Sequence, residues 1–174
     1  MFHLPRLIFS MNENSIFLED CNREQRLFCL PAHNNTVNPH GDPMVTGSNA
    51  PAPFGFLCLS LPDFISHDYR REFYRRFIFG PGPGLGESLV EGWGEFLVHE
   101  MGPVRFALGS PHAPEGTADR AAWDRELLIH GGGYPQKLTH GCIRMADHHI
   151  EQLAAMVIVL MRRGVPVTSI LKVP

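Results

Sequence analysis

One stretch of the chain fits neither a helix nor a strand as a whole. It runs Ile129-His130-Gly131-Gly132-Gly133-Tyr134-Pro135-Gln136-Lys137-Leu138-Thr139-His140-Gly141-Cys142-Ile143-Arg144-Met145. Glycine gives the unfolded chain extra entropy and proline lacks an N–H, so Gly131 to Pro135 reads as a loop. Ahead of it, Glu126-Leu127-Leu128-Ile129 predicts a strand that delivers His130. The loop then returns one cysteine, Cys142, to within 12 residues of two glycine-flanked histidines, His130 and His140.

These residue types suit an activated thiol. A free thiol ionises near about 8.5 and is mostly protonated at neutral pH, and a histidine that takes its proton turns it into a nucleophile. Gly141 lets the backbone bend just before the sulfur, so that the N–H groups of Gly141 and Cys142 would both face a developing oxyanion. Two other readings compete: a buried structural cysteine, and a zinc site built from the two histidines and the cysteine. The chain has no Cys-x-x-Cys or His-x-x-x-His spacing to support zinc.

Composition narrows the class. The 174 residues, 44% of them hydrophobic, fit one domain over 1–174 with a proper core. A formal charge of −3 and a pI near 6.3 argue against nucleic acid as a partner. The only basic cluster, Arg70, Arg71, Arg75 and Arg76, is offset by Asp68 and Glu72 and reads as a solvated helix face. No apolar run approaches the roughly 20 residues that span a bilayer. The first residues, Met-Phe-His-Leu-Pro-Arg-Leu-Ile-Phe-Ser, show no secretory signal. Setting Cys142 aside leaves Cys21, Cys29 and Cys58, enough for one disulfide at most.

Along the chain, Leu7-Ile8-Phe9, Ser15-Ile16-Phe17-Leu18 and Leu27-Phe28-Cys29-Leu30 read as short antiparallel strands. His33 to Pro53 reads as a long loop with His33 and His40 facing solvent. Phe64, Tyr69, Phe73 and Phe77 suggest a helix that packs its aromatic residues inward. Gly80 to Gly86 lacks the ending of a phosphate loop. Trp93–His99 and Val104–Leu108 are expected as a hairpin through Met101-Gly102-Pro103, with His99 on its surface. Pro111 to Asp124 is expected as a loop with a helical turn near Thr117 to Trp123. After Cys142, Asp147 is expected to cap a helix with Ile150, Leu153, Ala154, Val157, Ile158 and Met161 on its apolar face; Gly164 ends it, and His148 and His149 lie exposed in its first turn.

Thr139-His140-Gly141-Cys142-Ile143-Arg144, preceded by the pair His130-Gly131, resembles the signature of the L,D-transpeptidase catalytic domain, the YkuD-like family. Ala52-Pro53-Phe54-Gly55-Phe56-Leu57 and Gly164-Val165-Pro166-Val167-Thr168-Ser169-Ile170 resemble two further elements of that family. The resemblance implies a mainly β, β-rich α+β fold of sandwich or mixed-sheet type, with one helix after the cysteine and one more. It also implies a cysteine acyltransferase of peptidoglycan tetrapeptide stems. Cys142 would be the nucleophile, His130 the general base oriented by a backbone carbonyl near Gly131, and His140 a supporter or alternative base. Thr139 would shape the turn and, with Gly131 and Arg144, contribute to substrate binding; Arg144 would hold a substrate carboxylate or brace the loop. No cofactor or metal is implied, carbapenem-type inhibitors are, and the cell envelope is the expected location, reached by a trimmed signal or a dedicated secretion route. The products would be 3→3 crosslinks or exchanged D-amino acids; L,D-carboxypeptidase activity, an antibacterial effector on the same fold and a non-catalytic stem-binding module are the alternatives. Only nine residues separate His130 from His140, a shorter spacer than many family members carry, so the acceptor side is expected to differ.

Overall fold

The computed structural model describes residues 5–20, 25–78 and 100–174. The first strands form because β-branched and aromatic residues alternate between tight turns. Strand β1 (Arg6–Ser10) pairs antiparallel with β2 (Ser15–Asp20), which pairs antiparallel with β3 (Gln25–Pro31). Asn14 closes the first turn in the left-handed region, at φ 48°, where asparagine is tolerated better than most residues. The last strand, β9 (Ser169–Val173), lies parallel to β1, and β4 (Gly55–Cys58) closes the sheet in the order β3-β2-β1-β9-β4. This sheet thus joins the two ends of the described chain.

A second sheet carries the glycine-rich segment. It consists of β5 (Asp63–Phe64), β6 (Val104–Ala107), β7 (Leu128–His130) and β8 (Ile143–Arg144), in that order. β5, β6 and β7 are antiparallel neighbours, whereas β7 and β8 run parallel, with Ile129 opposite Ile143 and His130 opposite Arg144. A parallel pair needs a crossover of about a dozen residues, and here residues 131–142 supply it without a helix.

Among the described residues three α-helices accompany the sheets, one of them where the sequence suggested a helical turn near Thr117 to Trp123. α1 (His67–Phe73) starts at Ser66, whose Oγ accepts from Tyr69 N, and runs on into a π-helical turn over Tyr74–Ile78. Phe64 therefore belongs to β5 rather than to the aromatic helix, although its ring packs 4.8 Å from that of Phe73. α2 (Ala118–Asp124) is capped by Thr117. α3 (Asp147–Arg162) buries Ile150, Leu153, Ala154, Val157 and Ile158 completely. Each large aliphatic side chain of that stripe contributes about 1.5–3 kcal/mol by leaving water. The basic helix face is ion-paired as expected, with Arg71 on Asp68, Arg75 on Glu72, and Arg76 reaching Glu151 of α3.

Several expectations shift. Asp147 does not cap α3: Ala146 is the N-cap residue and makes no side-chain bond, because the Asp147 carboxylate is engaged by Gly132 N at 2.8 Å. Strand β7 begins at Leu128, since Glu126 has φ 54° and cannot continue a strand. The final strand starts only at Ser169, after the Val165-Pro166 segment. His149 is half-buried, whereas His148 is exposed. Cys29, Cys58 and Cys142 are free thiols. Cys21, the Gly80–Gly86 segment, and Trp93–His99 with its histidine lie outside the described residues.

Candidate active site

Side chains two apart on a strand point to the same face. The β7–β8 register therefore sets Leu128, His130 and Arg144 on one face, with Cys142 just ahead of β8 on that same side, while Ile129 and Ile143 face the core. Cys142 is half-buried, and its Sγ accepts from Leu128 N at 3.4 Å. Burial pushes the thiol up; Leu128 N–H, Arg144 and Arg125 act against that rise. His130 is 2% exposed, and its Nδ1 lies 2.6 Å from Gly131 O. A carbonyl only accepts, so Nδ1 carries the proton and Nε2 keeps its lone pair. Burial brings the imidazole down to about 4; the Gly131 carbonyl works against this, and Arg144 adds to it. The pair thus rests as neutral imidazole and neutral thiol.

The turn that presents the sulfur is held from behind. Gly141 adopts φ 131°, and a Cβ there would stand 2.6 Å from Arg125 Nη2, 2.7 Å from Leu127 Cδ2 and 3.0 Å from Ala50 O. Only glycine fits without displacing backbone. Thr139 Oγ1 donates to Cys142 O at 2.8 Å and accepts from Gly141 N at 3.3 Å. The Gly141 N–H is thereby taken up, contrary to its expected place beside an oxyanion. Among the described residues Cys142 N–H has no such partner, so it is the donor of this turn that is open to a ligand.

Arg144 is 4% exposed and donates from Nη1 to Gly132 O at 2.5 Å, tying β8 to the start of the glycine run. Its buried Nε has no partner among the described residues. His140 is exposed, and its side chain makes no hydrogen bond among the described residues. Of the residues singled out from sequence, Cys142, His130, Gly131, Gly141, Thr139 and Arg144 thus share one locus, while the His140 side chain is exposed beside it. Among the described residues no group of three His, Cys, Asp or Glu side chains is placed to hold a metal. A cavity of about 440 Å³ lies beside the sulfur's partner Leu128, walled by Leu108, Trp123, Asp124, Glu126 and Leu127.

Four contributors escaped the sequence reading. His33 is half-buried, and its backbone N–H and C=O exchange bonds of 2.8 and 2.7 Å with Arg144, making it a backbone neighbour of β8. Asn34 Nδ2 donates to Gly141 O at 2.8 Å and to Cys142 O at 2.9 Å. Arg125 binds the carbonyls of Pro43, Ala50 and Pro51. Lys172, 1% exposed, donates to Asn34 Oδ1 at 2.8 Å and to Ala52 O. Burial, followed by the charge of Arg125, lowers Lys172 to about 7. Only Lys172 left a signal in the sequence, because strand alternation puts it on the inward face with Ile170.

The family model of the L,D-transpeptidase catalytic domain matches residues 65–168. Among solved structures, the helical cell shape determining protein Pgp2 from Campylobacter jejuni is similar at a TM-score of 0.51 and 15% identity, covering 97% of this chain and 47% of that one. Bd1075 from Bdellovibrio bacteriovorus is similar at a TM-score of 0.49 and 15% identity, covering 98% and 48%. Mycobacterium tuberculosis L,D-transpeptidase 1 gives a TM-score of 0.42 at 12% identity, covering 98% and 62%. The chain spans about half the length of Pgp2 and Bd1075. No curated protein matches. With the family model covering more than half of its length, the chain belongs to the L,D-transpeptidase catalytic domain (YkuD) family.

Proposed function

We propose that this protein is a cysteine L,D-transpeptidase of peptidoglycan tetrapeptide stems, working in the cell envelope through an acyl-enzyme on Cys142. The observation that carries the reading is the placement of Cys142 beside the β7–β8 pair that carries His130, with His130 Nδ1 held on Gly131 O so that Nε2 keeps a lone pair for a base. In the first step the Sγ–carbonyl bond forms while His130 takes the thiol proton. The amide C–N bond then breaks and His130 returns that proton to the departing D-alanine amine. In the second step an amine attacks the thioester and the thiolate recovers a proton by way of His130. Because the resting pair is neutral, proton transfer accompanies attack rather than preceding it.

The remaining residues serve geometry. Cys142 N–H is the oxyanion donor, Thr139 and Gly141 shape the turn, and Arg144 braces the glycine run through Gly132 O. His140 takes no part in proton transfer, since its side chain is exposed and unanchored. The exposed spacer, with Tyr134 at 73% and Leu138 at 57%, leaves the acceptor side open, which favours hydrolysis of the thioester as a second outcome. Muropeptide analysis after incubation with tetrapeptide stems tests the reading. New 3→3 dimers or exchanged terminal D-amino acids are expected, with tripeptides as the hydrolytic product. Stems returned unchanged by the parent protein would overturn the proposal.

A further inference from the structure

We propose that Lys172 is a positioning residue for acylation: through Asn34 it draws the Gly141 and Cys142 carbonyls back and so aims the Cys142 N–H at the oxyanion. The inference rests on the reading that Cys142 is acylated. It begins with the Asn34 side chain, which has two hydrogens to give and two lone pairs to fill. All four are used: Nδ2 donates to Gly141 O and Cys142 O, and Oδ1 accepts from Ala52 N at 2.9 Å and Lys172 Nζ at 2.8 Å. An amide rotated by half a turn would set its oxygen against two carbonyls and its NH₂ against two donors. The Lys172 ammonium has no lone pair, so it opposes that rotation. A neutral amine still donates both bonds.

Peptide planarity carries the effect to the nucleophile. The C=O of Gly141 and the N–H of Cys142 belong to one trans peptide unit and point in opposite directions. Holding the Gly141 oxygen toward Asn34 in the interior therefore turns the Cys142 N–H outward, the direction an oxyanion donor needs. Thr139 restrains the Cys142 oxygen from a second side. Lys172 itself is buried among Asn34, Ala52 and the ring of Phe54, 4.6 Å away, and reaches no reacting atom. Its cost in desolvation is hard to account for by stability alone, because an apolar residue would fill the same place more cheaply.

The test compares the parent with Lys172→Met, Asn34→Asp and the double variant. The probe is a carbapenem, read as the maximal acylation rate constant and the apparent affinity, together with the Cys142 amide resonance. Lys172→Met is expected to slow acylation by about 10- to 100-fold, as a displaced donor does, while affinity and melting temperature hold. Asn34→Asp is expected to act alike, and the double variant to be no slower than the slower single one, since both lie on one path. Unchanged acylation in Lys172→Met, equal losses in rate and affinity, or multiplying effects would each overturn the proposal. If Lys172→Met fails to fold, Asn34→Asp carries the comparison. If the parent itself takes no adduct, the proposed function falls, and the amide resonance judges the inference: a shift in Lys172→Met supports it and an unmoved resonance overturns it.

Discussion

The two sides of the Cys142 turn are built differently. Behind it, Asn34 and Thr139 fix three successive peptide units through buried or half-buried bonds, Lys172 holds Asn34, Arg125 holds the facing Ala50 carbonyl, and Gly141 has no room for a methyl group. In front, the spacer from Gly133 to Leu138 is largely exposed, and Lys137 crosses to Glu100 in an ion pair that is itself open to water. Rigidity is thus concentrated where charge develops, and freedom is left where the acceptor enters. Preorganised donors in a water-poor site are worth far more than exposed pairs, which fits this division.

The sharpest break in the comparison comes at the sulfur. Cys142→Ala is expected to abolish turnover of tetrapeptide stems in a chromatographic assay while the protein stays folded, since the half-buried sulfur accepts a long bond of 3.4 Å from Leu128 N. His130→Gln comes next. It keeps a polar group near Gly131 O but removes the base, and kcat/KM should fall by about 10²–10⁴. His140→Gln, by contrast, should leave kcat/KM near that of the parent, which separates the two histidines that flank the glycine run.

Gly141→Ala probes the rigid side. The added Cβ meets Arg125, Leu127 and the Ala50 carbonyl at a backbone angle that alanine resists, so chemical denaturation should show a loss of about 2–4 kcal/mol. Acidification probes the same side through His130. Its folded value near 4 lies below the ordinary 6.5, so between these pH values the unfolded chain binds a proton that the native chain refuses. Stability from this group is complete above about 6.5 and falls as pH drops toward 4, by about 3 kcal/mol. Urea titrations across that window should show the decline in the parent and a weaker one in His130→Gln. The acid limb of kcat/KM should likewise sit near 4 rather than 6.5. The smallest effect belongs to the open side: Lys137→Ala should leave melting temperature and acylation rate unchanged, because its partner Glu100 is solvent-exposed.

Much of this was legible in the residues, and the reason differs by element. The early strands and α3 follow from local periodicity, which needs no knowledge of the rest of the chain. The cluster of Cys142, His130 and Thr139 was legible because 12 residues and three glycines keep the partners close in sequence. Asn34 was not, since it reaches Cys142 across 108 residues, and Lys172 showed only as an inward-facing strand residue, since its partner Asn34 lies 138 residues away across a sheet that pairs the last strand with the first. The backbone bridge of His33 to Arg144 was hidden because an Asn- and Pro-rich loop announces no strand-like pairing. The oxyanion donors were over-counted for a related reason. A glycine in sequence announces freedom, but not that the Thr139 hydroxyl has already taken its N–H.

The central claim is that Cys142 is the acylated nucleophile. Intact-mass measurement after incubation with a carbapenem, followed by peptide mapping, tests it most directly. The account predicts one adduct per chain, located on Cys142 and lost in Cys142→Ala. An unmodified parent protein, or an adduct that maps to Cys29 or Cys58, would contradict it.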